Sequence, residues 1–334
     1  MKRSSRRWLV LLVALWAAGT ALAAAPAPAA SPDCPPQPMP ITPDDVRQGM
    51  QAATDHGYLW RVRKDGRDSW LYGTLHVARK AWMFPGPAVR NAVQASDRVA
   101  LELDMLDPEI TRRLLALMMA PVKPVPLPAP LARRLGAQIA AACAGHELAA
   151  LRPEMQAITL TVMAGRRAGL EPGYGIDGFL AGFARQAGKP VLSLETPEAQ
   201  IGLIVQPTPG ETATFVAHAL DELEDGRAER MMRRLAEAWS RGDFDELSHY
   251  ADWCECLDSA EDRAMLKRLV DDRNEAMATQ LQTRHAQGER LLLAAGALHM
   301  IGPQGLPALL AARGFQVERV VAPAGVTGAA SAAH

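Results

Sequence analysis

Past residue 25 no run approaches the 18 consecutive apolar residues that a membrane-crossing helix needs, so no span is expected in the mature chain. Compact metal signatures are missing too. No His-Glu-x-x-His occurs, so no two ligands are guaranteed adjacent on one helix turn. Positive charge is not in excess, with 36 Lys and Arg against 37 Asp and Glu. Cysteine is scarce: Cys34, Cys143, Cys254 and Cys256 are the only four, and four cysteines allow three pairings.

What is present begins with an export signature. Lys2, Arg3, Arg6 and Arg7 precede the apolar run 8–16 and an Ala-rich stretch through residue 25. A basic start, a short apolar segment and small residues before cleavage make a secretory signal peptide over residues 1–25. Ser5-Arg6-Arg7 also resembles a twin-arginine leader, the less favoured variant because the apolar run is leucine-rich. Removing that segment takes away the four basic residues and no acidic one, leaving 32 basic against 37 acidic, a net charge near −5. Such a balance argues against nucleic acid or an anionic membrane surface as partner. A periplasmic or secreted protein is expected, with an Ala/Pro-rich linker at 26–43, one domain over 44–321 and a disordered tail at 322–334. In an oxidising compartment the cysteines pair. A Cys254–Cys256 bond would close a very tight ring, so each is expected to pair with a distant cysteine. The alternative is a soft-metal site formed with His249 and Asp252.

Strand and helix patterns alternate at both ends of the domain. Tyr58-Leu59-Trp60-Arg61-Val62 and Trp70-Leu71-Tyr72 flank Lys64-Asp65-Gly66-Arg67, a hairpin signature. A helix over 87–96 and a strand over 98–104 follow, the strand carrying Glu102 and Asp104. Helical patterns fill most of 108–288. A short buried-type strand, Val191-Leu192-Ser193-Leu194, interrupts them and ends at Glu195. In 231–239 the Met231, Met232, Leu235, Ala238 and Trp239 face reads as core. A strand at 290–295, a helix at 303–313 and a strand at 315–320 close the chain. The expected class is α/β, or α+β: two pseudo-repeated α/β halves with a large helical insertion between them.

Each half carries the same phrase. Trp70-Leu71-Tyr72-Gly73-Thr74-Leu75-His76 and Leu293-Ala294-Ala295-Gly296-Ala297-Leu298-His299 both run from an apolar strand through glycine to histidine. Chance alone gives about 0.6 Gly-x-x-His at this composition, so the shared strand-end context carries the signal. Glycine is expected to let the chain turn tightly, presenting the histidine at the sheet edge where open α/β sheets bind ligands. Imidazole and carboxylate are ordinary ligands of Zn²⁺, Mn²⁺ or Co²⁺, so His76, His299, Glu102 and Glu195 are candidates for one metal site.

In this setting the chain resembles the TraB/GumN family, related to the Tiki metalloproteases and more distantly to the erythromycin-esterase/ChaN-like superfamily. The resemblance rests on Tyr72-Gly73-Thr74-Leu75-His76-Val77, Ala100-Leu101-Glu102-Leu103-Asp104 and Gly175-Ile176-Asp177. It continues through Gly188-Lys189-Pro190-Val191, Leu194-Glu195-Thr196, Arg273-Asn274-x-x-Met277 and Gly296-Ala297-Leu298-His299-Met300, in order from about residue 45 to 320. It implies an α/β fold with facing Gly-x-x-His motifs and a divalent-metal-dependent hydrolase of the peptidase kind, acting on peptide or protein. His76, His299 and Glu102 would then bind the metal, and Glu102 or Glu195 would supply the catalytic carboxylate, Glu102 being favoured. Arg273 and Asn274 would be oxyanion or substrate-carboxylate donors. The plainer readings are a helix-surface charge for Arg273 and a helix cap for Asp177. The alternative function is a non-catalytic periplasmic protein that binds peptide, metal or haem; an exopolysaccharide role rests on the GumN name alone. Oligomeric state is left open.

Overall fold

The computed structural model describes residues 34–119, 121, 126–257 and 259–320. The expected signal peptide and C-terminal tail lie outside the described residues. Strand β1 (Tyr58–Lys64) turns through Asp65 and Gly66, at φ 50° and 73°, into β2 (Arg67–Thr74). Positive φ at both turn residues is the tight hairpin whose twist matches the strands it joins, which is why Asp-Gly stands there. The other strands are β3 (Arg98–Leu101), β4 (Val191–Ser193), β5 (Leu291–Gly296) and β6 (Gln316–Val320). Together they form one mixed sheet of order β4-β3-β5-β2-β1-β6.

The four strands β4, β3, β5 and β2 are mutually parallel, and β1 is antiparallel to both its neighbours. β5 lies between parallel neighbours and reads Leu-Leu-Leu-Ala-Ala-Gly, buried through Ala295. A strand covered on both faces has no reason to alternate, and this one does not. From β2 the chain passes through the helix Pro87–Ala95 and over β5 to β3. From β5 it leaves the opposite way, through the helix Leu306–Ala312 to β6. The adjacent strands β2 and β5 therefore send their connections to opposite sides, which opens a crevice beyond their C-terminal ends. The two repeated units share one sheet, and their strand ends stand side by side.

The helical insertion supplies its own packing. Leu131, Leu135, Leu160 and Leu220 form a second apolar cluster among the helices Ala129–Ala141, Pro153–Met163 and Pro209–Glu224. The helix Arg227–Arg241 buries Met231, Met232, Leu235, Ala238 and Trp239, and Trp239 Nε1 donates to Gly73 O at 2.7 Å. Among the described residues no helix is long and apolar enough to cross a membrane.

Several expectations need correction. β3 stops at Leu101, so Glu102 lies beyond the strand rather than on its face. There its backbone carbonyl accepts from Glu195 N at 3.0 Å. The cysteines pair as Cys34–Cys143 and Cys254–Cys256. The tight ring closes because Glu255 takes a left-handed φ of 51°, which lets the two side chains converge with Cα atoms 5.0 Å apart. Both sulfurs are thereby used, which removes the soft-metal alternative with His249 and Asp252. Part of the Ala/Pro-rich stretch is also anchored: Cys34 is bonded to Cys143, and Met39 N donates to Tyr174 Oη at 2.9 Å.

Peptide mapping without reduction should recover a Cys34–Cys143 cross-link and an internal Cys254–Cys256 link. The first closes a separation of 109 residues. Cys143→Ser should therefore lower unfolding stability by about 2–4 kcal/mol in urea, whereas a mixed pattern such as Cys143–Cys254 would contradict this pairing.

Candidate active site

Four strand ends set the site. In register Thr74 pairs with Gly296, and Leu101 pairs with Ala294 and with Ser193, so the parallel strands finish nearly level. His76, His299, Glu102 and Glu195 all lie within three residues of those ends. Glu102 Oε1 is 3.9 Å from His76 Nε2 and 3.7 Å from His299 Nε2. All three side chains are buried.

Each imidazole is held from behind. His76 Nδ1 donates to Asp177 Oδ2 at 2.7 Å, and the other oxygen of Asp177 accepts from Thr74 Oγ1 at 2.6 Å. Asp177 lies in the first turn of the helix Ile176–Gln186 but makes no capping bond, so the helix-cap reading fails. That helix start is fastened to the histidine loop by Ile176 N to Leu75 O at 2.9 Å. A Cβ on Gly175 would sit 2.6 Å from His76 O, so only glycine permits this approach. His299 Nδ1 donates to Asn274 Oδ1 at 2.6 Å, and Asn274 Nδ2 donates to Gln304 O at 2.8 Å. Both rings thus keep their proton on Nδ1 and turn Nε2 toward Glu102.

The backing groups make the two histidines electrostatically unlike. Burial opposes a charge on His76, but the Asp177 carboxylate, helped by Glu102, outweighs it and raises the pKa. His299 has a neutral amide behind it, so burial dominates and pushes it down to about 3. Burial would also raise Glu102, yet Arg273, the two histidines and the N–H of Gly296 together hold it well below the usual carboxylate range.

Gly296 has a second role. Its N–H donates to Glu102 Oε1 at 2.7 Å. A Cβ there would lie 3.5 Å from both Glu102 Oε1 and His76 Nε2, and 3.7 Å from His299 Cδ2. Its φ is an ordinary −49°, so the residue is small to leave room, not to turn. Gly73 likewise has no positive φ, and a Cβ would be 3.1 Å from Met300 Cγ. The expected tight turns are replaced by close packing of one motif against the other.

Arg273 closes the far side. Its Nε and Nη2 donate to Glu195 at 2.8 and 2.5 Å, Nη2 also donates to Glu102, and Nη1 reaches Leu269 O at 2.7 Å. Leu269 lies in the π-turn Lys267–Asp271, where wider winding accompanies the carbonyl that takes this side-chain donor. Gln200 Nε2 donates to Glu195 Oε2 at 2.8 Å. Glu195 therefore faces Arg273 rather than the imidazoles, and Arg273 and Asn274 are both engaged within the protein. The surface-charge reading of Arg273 fails, since the residue is partly buried and its guanidinium is held between two carboxylates.

The TraB/PrgY/gumN family model matches residues 58–319. The chain belongs to that family. No curated protein and no solved structure matches it. In this TraB/PrgY/gumN chain every side chain of the candidate site lies within the matched span.

Among the described residues no three His, Cys, Asp or Glu side chains already stand as a metal-holding group. The two histidine-to-Glu102 separations, 3.7 and 3.9 Å, exceed the ~3.4 Å edge of a tetrahedron with ~2.1 Å bonds by a few tenths of an ångström. The donor chemistry fits: two Nε2 atoms and one ionised carboxylate oxygen, the rings fixed by second partners. Asp177 is the residue that sequence reasoning left outside the site; its signal was its place in the Gly175-Ile176-Asp177 motif.

The opposed histidines have a measurable consequence. His299 is depressed from 6.5, so below about pH 6.5 the unfolded chain binds a proton that the folded chain refuses, and stability falls with acidification. His76 has the opposite sign: its contribution is present below its unfolded value and fades as pH rises through its raised one. With chelator present, His299→Gln should abolish a loss of up to about 2 kcal/mol between pH 6.5 and 5 in urea titrations. Parallel pH profiles for variant and wild type would refute the assignment.

Proposed function

We propose that the protein is an exported hydrolase that uses one divalent cation, Zn²⁺, Mn²⁺ or Co²⁺, to cleave peptides. The observation that carries the reading is the convergence of His76 Nε2, His299 Nε2 and Glu102 Oε1 on the space that Gly296 leaves free. His76, His299 and Glu102 would hold the ion. The ion would supply a Lewis acid that makes a bound water a nucleophile at neutral pH. Asp177 and Asn274 keep the two Nε2 atoms aimed at it. Arg273 positions Glu102 and keeps it ionised, and Glu195 acts on the site through Arg273. The Tiki resemblance favours a peptide bond over other acyl groups. Export is supported by the basic and apolar N-terminal segment and by two disulfides, which persist in oxidising compartments.

Bound metal and cleavage of a peptide library are the paired readouts. His76→Ala and His299→Ala should each weaken metal binding at least about 10-fold and lower cleavage at least as much. Gly296→Ala should fold normally, because its methyl meets only ordinary contacts at an unstrained φ, yet lose metal and activity by filling the space. Unchanged metal content and cleavage in both histidine variants would sink the proposal. Stoichiometric metal without turnover of any peptide would identify a binding protein instead.

A further inference from the structure

The segment at 34–40 is built to be stiff. Every residue from Cys34 to Pro40, in the run Cys-Pro-Pro-Gln-Pro-Met-Pro, is either a proline or stands immediately before one. A proline ring fixes φ at about −65°, and the residue before it is confined to extended conformations, so such a strap has little freedom to crumple. At one end it is covalently fixed to the helical insertion by Cys34–Cys143. Near the other end the Tyr174 hydroxyl donates to Met39 O at 3.2 Å and accepts from Met39 N at 2.9 Å. Between them Arg166 Nη2 donates to Gln37 Oε1 at 3.4 Å.

Tyr174 stands beside the first histidine loop. It closes the short turn Pro172–Tyr174. On one side of that turn Ala78 N donates to Glu171 O at 3.2 Å and Glu171 N to Ala78 O at 2.9 Å. On the other side come Gly175, packed on His76 O, Ile176, bonded to Leu75 O, and Asp177, which holds the His76 ring. Segments 171–177 and 75–78 are thus laced together, and the Tyr174 hydroxyl carries the hold of the strap into the middle of the lacing.

The two disulfides differ in access. Cys254 and Cys256 are fully buried, whereas Cys34 and Cys143 are both partly exposed. A thiolate must reach sulfur to attack it, so a dithiol reductant meets the strap bond first. Its first thiolate attacks one cysteine sulfur and releases the other cysteine; its second thiol then closes on the first and releases the cysteine still bound. Two electrons and two protons end on Cys34 and Cys143, and the reductant leaves as a cyclic disulfide.

We infer that Tyr174 is a positioning residue for Asp177 and His76 and that the Cys34–Cys143 bond holds it in place through the proline strap, so that the histidine site is complete only in the oxidised chain. The consequence for a bound cation rests on the function proposed above; the consequence for the His76 ring does not.

The intact protein, with chelator present, is treated with a dithiol until mass mapping of alkylated peptides finds only Cys34 and Cys143 reduced. Amide exchange and imidazole NMR signals are then compared with the oxidised protein at a fixed pH. Exchange at Ala78, Glu171 and Ile176 should speed up at least about 10-fold while Leu292 and Leu293 in β5 keep their rates. The His76 ring signals should move and those of His299 should stay. Tyr174→Phe in the oxidised protein keeps the aromatic ring, removes the hydroxyl and should reproduce both changes; should it fail to fold, Cys34→Ser decides by the same readings. An unmoved His76 ring and unchanged Ile176 exchange, on reduction or in the folded variant, overturn the inference. Equal acceleration in β5 overturns it too, because that marks general loosening. Zn²⁺ affinity separates the clasp from the metal site itself. A loss of about 10-fold on reduction supports both. No Zn²⁺ bound by either form, with the His76 ring displaced on reduction, sinks the metal reading and leaves the clasp standing. Zn²⁺ bound equally tightly by both forms sinks the clasp and leaves the metal reading.

Discussion

The site depends on Arg273 lying between two carboxylates, the buried Glu102 and the partly buried Glu195. Glu102 and Glu195 follow neighbouring parallel strands, and their backbones are hydrogen-bonded to one another, so the sheet itself brings two anions together. Like charges at this spacing, away from water, would drive one carboxyl to take up a proton. A guanidinium shared between them removes that outcome. It leaves Glu102 with one oxygen toward Arg273 and the other toward the histidines. Breaking such a buried arrangement from one side costs ~3–5 kcal/mol, because the remaining charges lose their partner. The π-turn belongs to the same constraint, since it carries the Leu269 carbonyl that accepts the third nitrogen of Arg273. Geometry of the chain and charge of the site are thus one problem with one solution.

Repetition then makes a pair out of two loops, and second partners make the pair unequal. Both histidines follow an identical spacing, yet one is backed by a carboxylate from the first turn of the helix Ile176–Gln186 and the other by an amide from the first turn of the helix Asp272–Ala286. The amide of Asn274 cannot reverse, because its nitrogen is committed to Gln304 O. A ring held in this way offers a lone pair at neutral pH whatever its neighbour does. The ring on Asp177 can accept a charge more easily. Equal motifs therefore provide unequal proton affinities with no change in the motif itself.

Much of this was legible in the residues. The Asp-Gly hairpin, the two Gly-x-x-His strand ends and the core face around Trp239 are local patterns, and local patterns survive without knowledge of the fold. Glu195 reads as a strand end and stands just past one, whereas Glu102 reads as lying within a strand and stands just past β3, which is shorter than its alternation implies. What was not legible depends on partners distant in sequence. Asp177 and His76 are 101 residues apart, and Asn274 accepts a proton bond from a ring 25 residues on, where a donor role had been expected. Composition around either residue carries no trace of its partner. The Cys254–Cys256 ring failed for a related reason: its closure turns on one left-handed residue, Glu255, which the letters Cys-Glu-Cys do not announce.

The glycines show most clearly what the sequence spacing means. A glycine at a strand end invites an argument from φ, yet neither Gly73 nor Gly296 has an unusual one. Gly73 is small because the second motif packs on it, and Gly296 is small because the first motif, Glu102 and the second histidine all face it. Each glycine thus answers a demand from the other copy of the repeat. The pairing of the motifs is therefore a packing requirement as well as a chemical one. A larger residue at Gly73 presses on the other loop, and one at Gly296 closes the space on which the imidazoles and carboxylate converge. That mutual fit at the switch point of the sheet is the reason the two strand ends face one crevice.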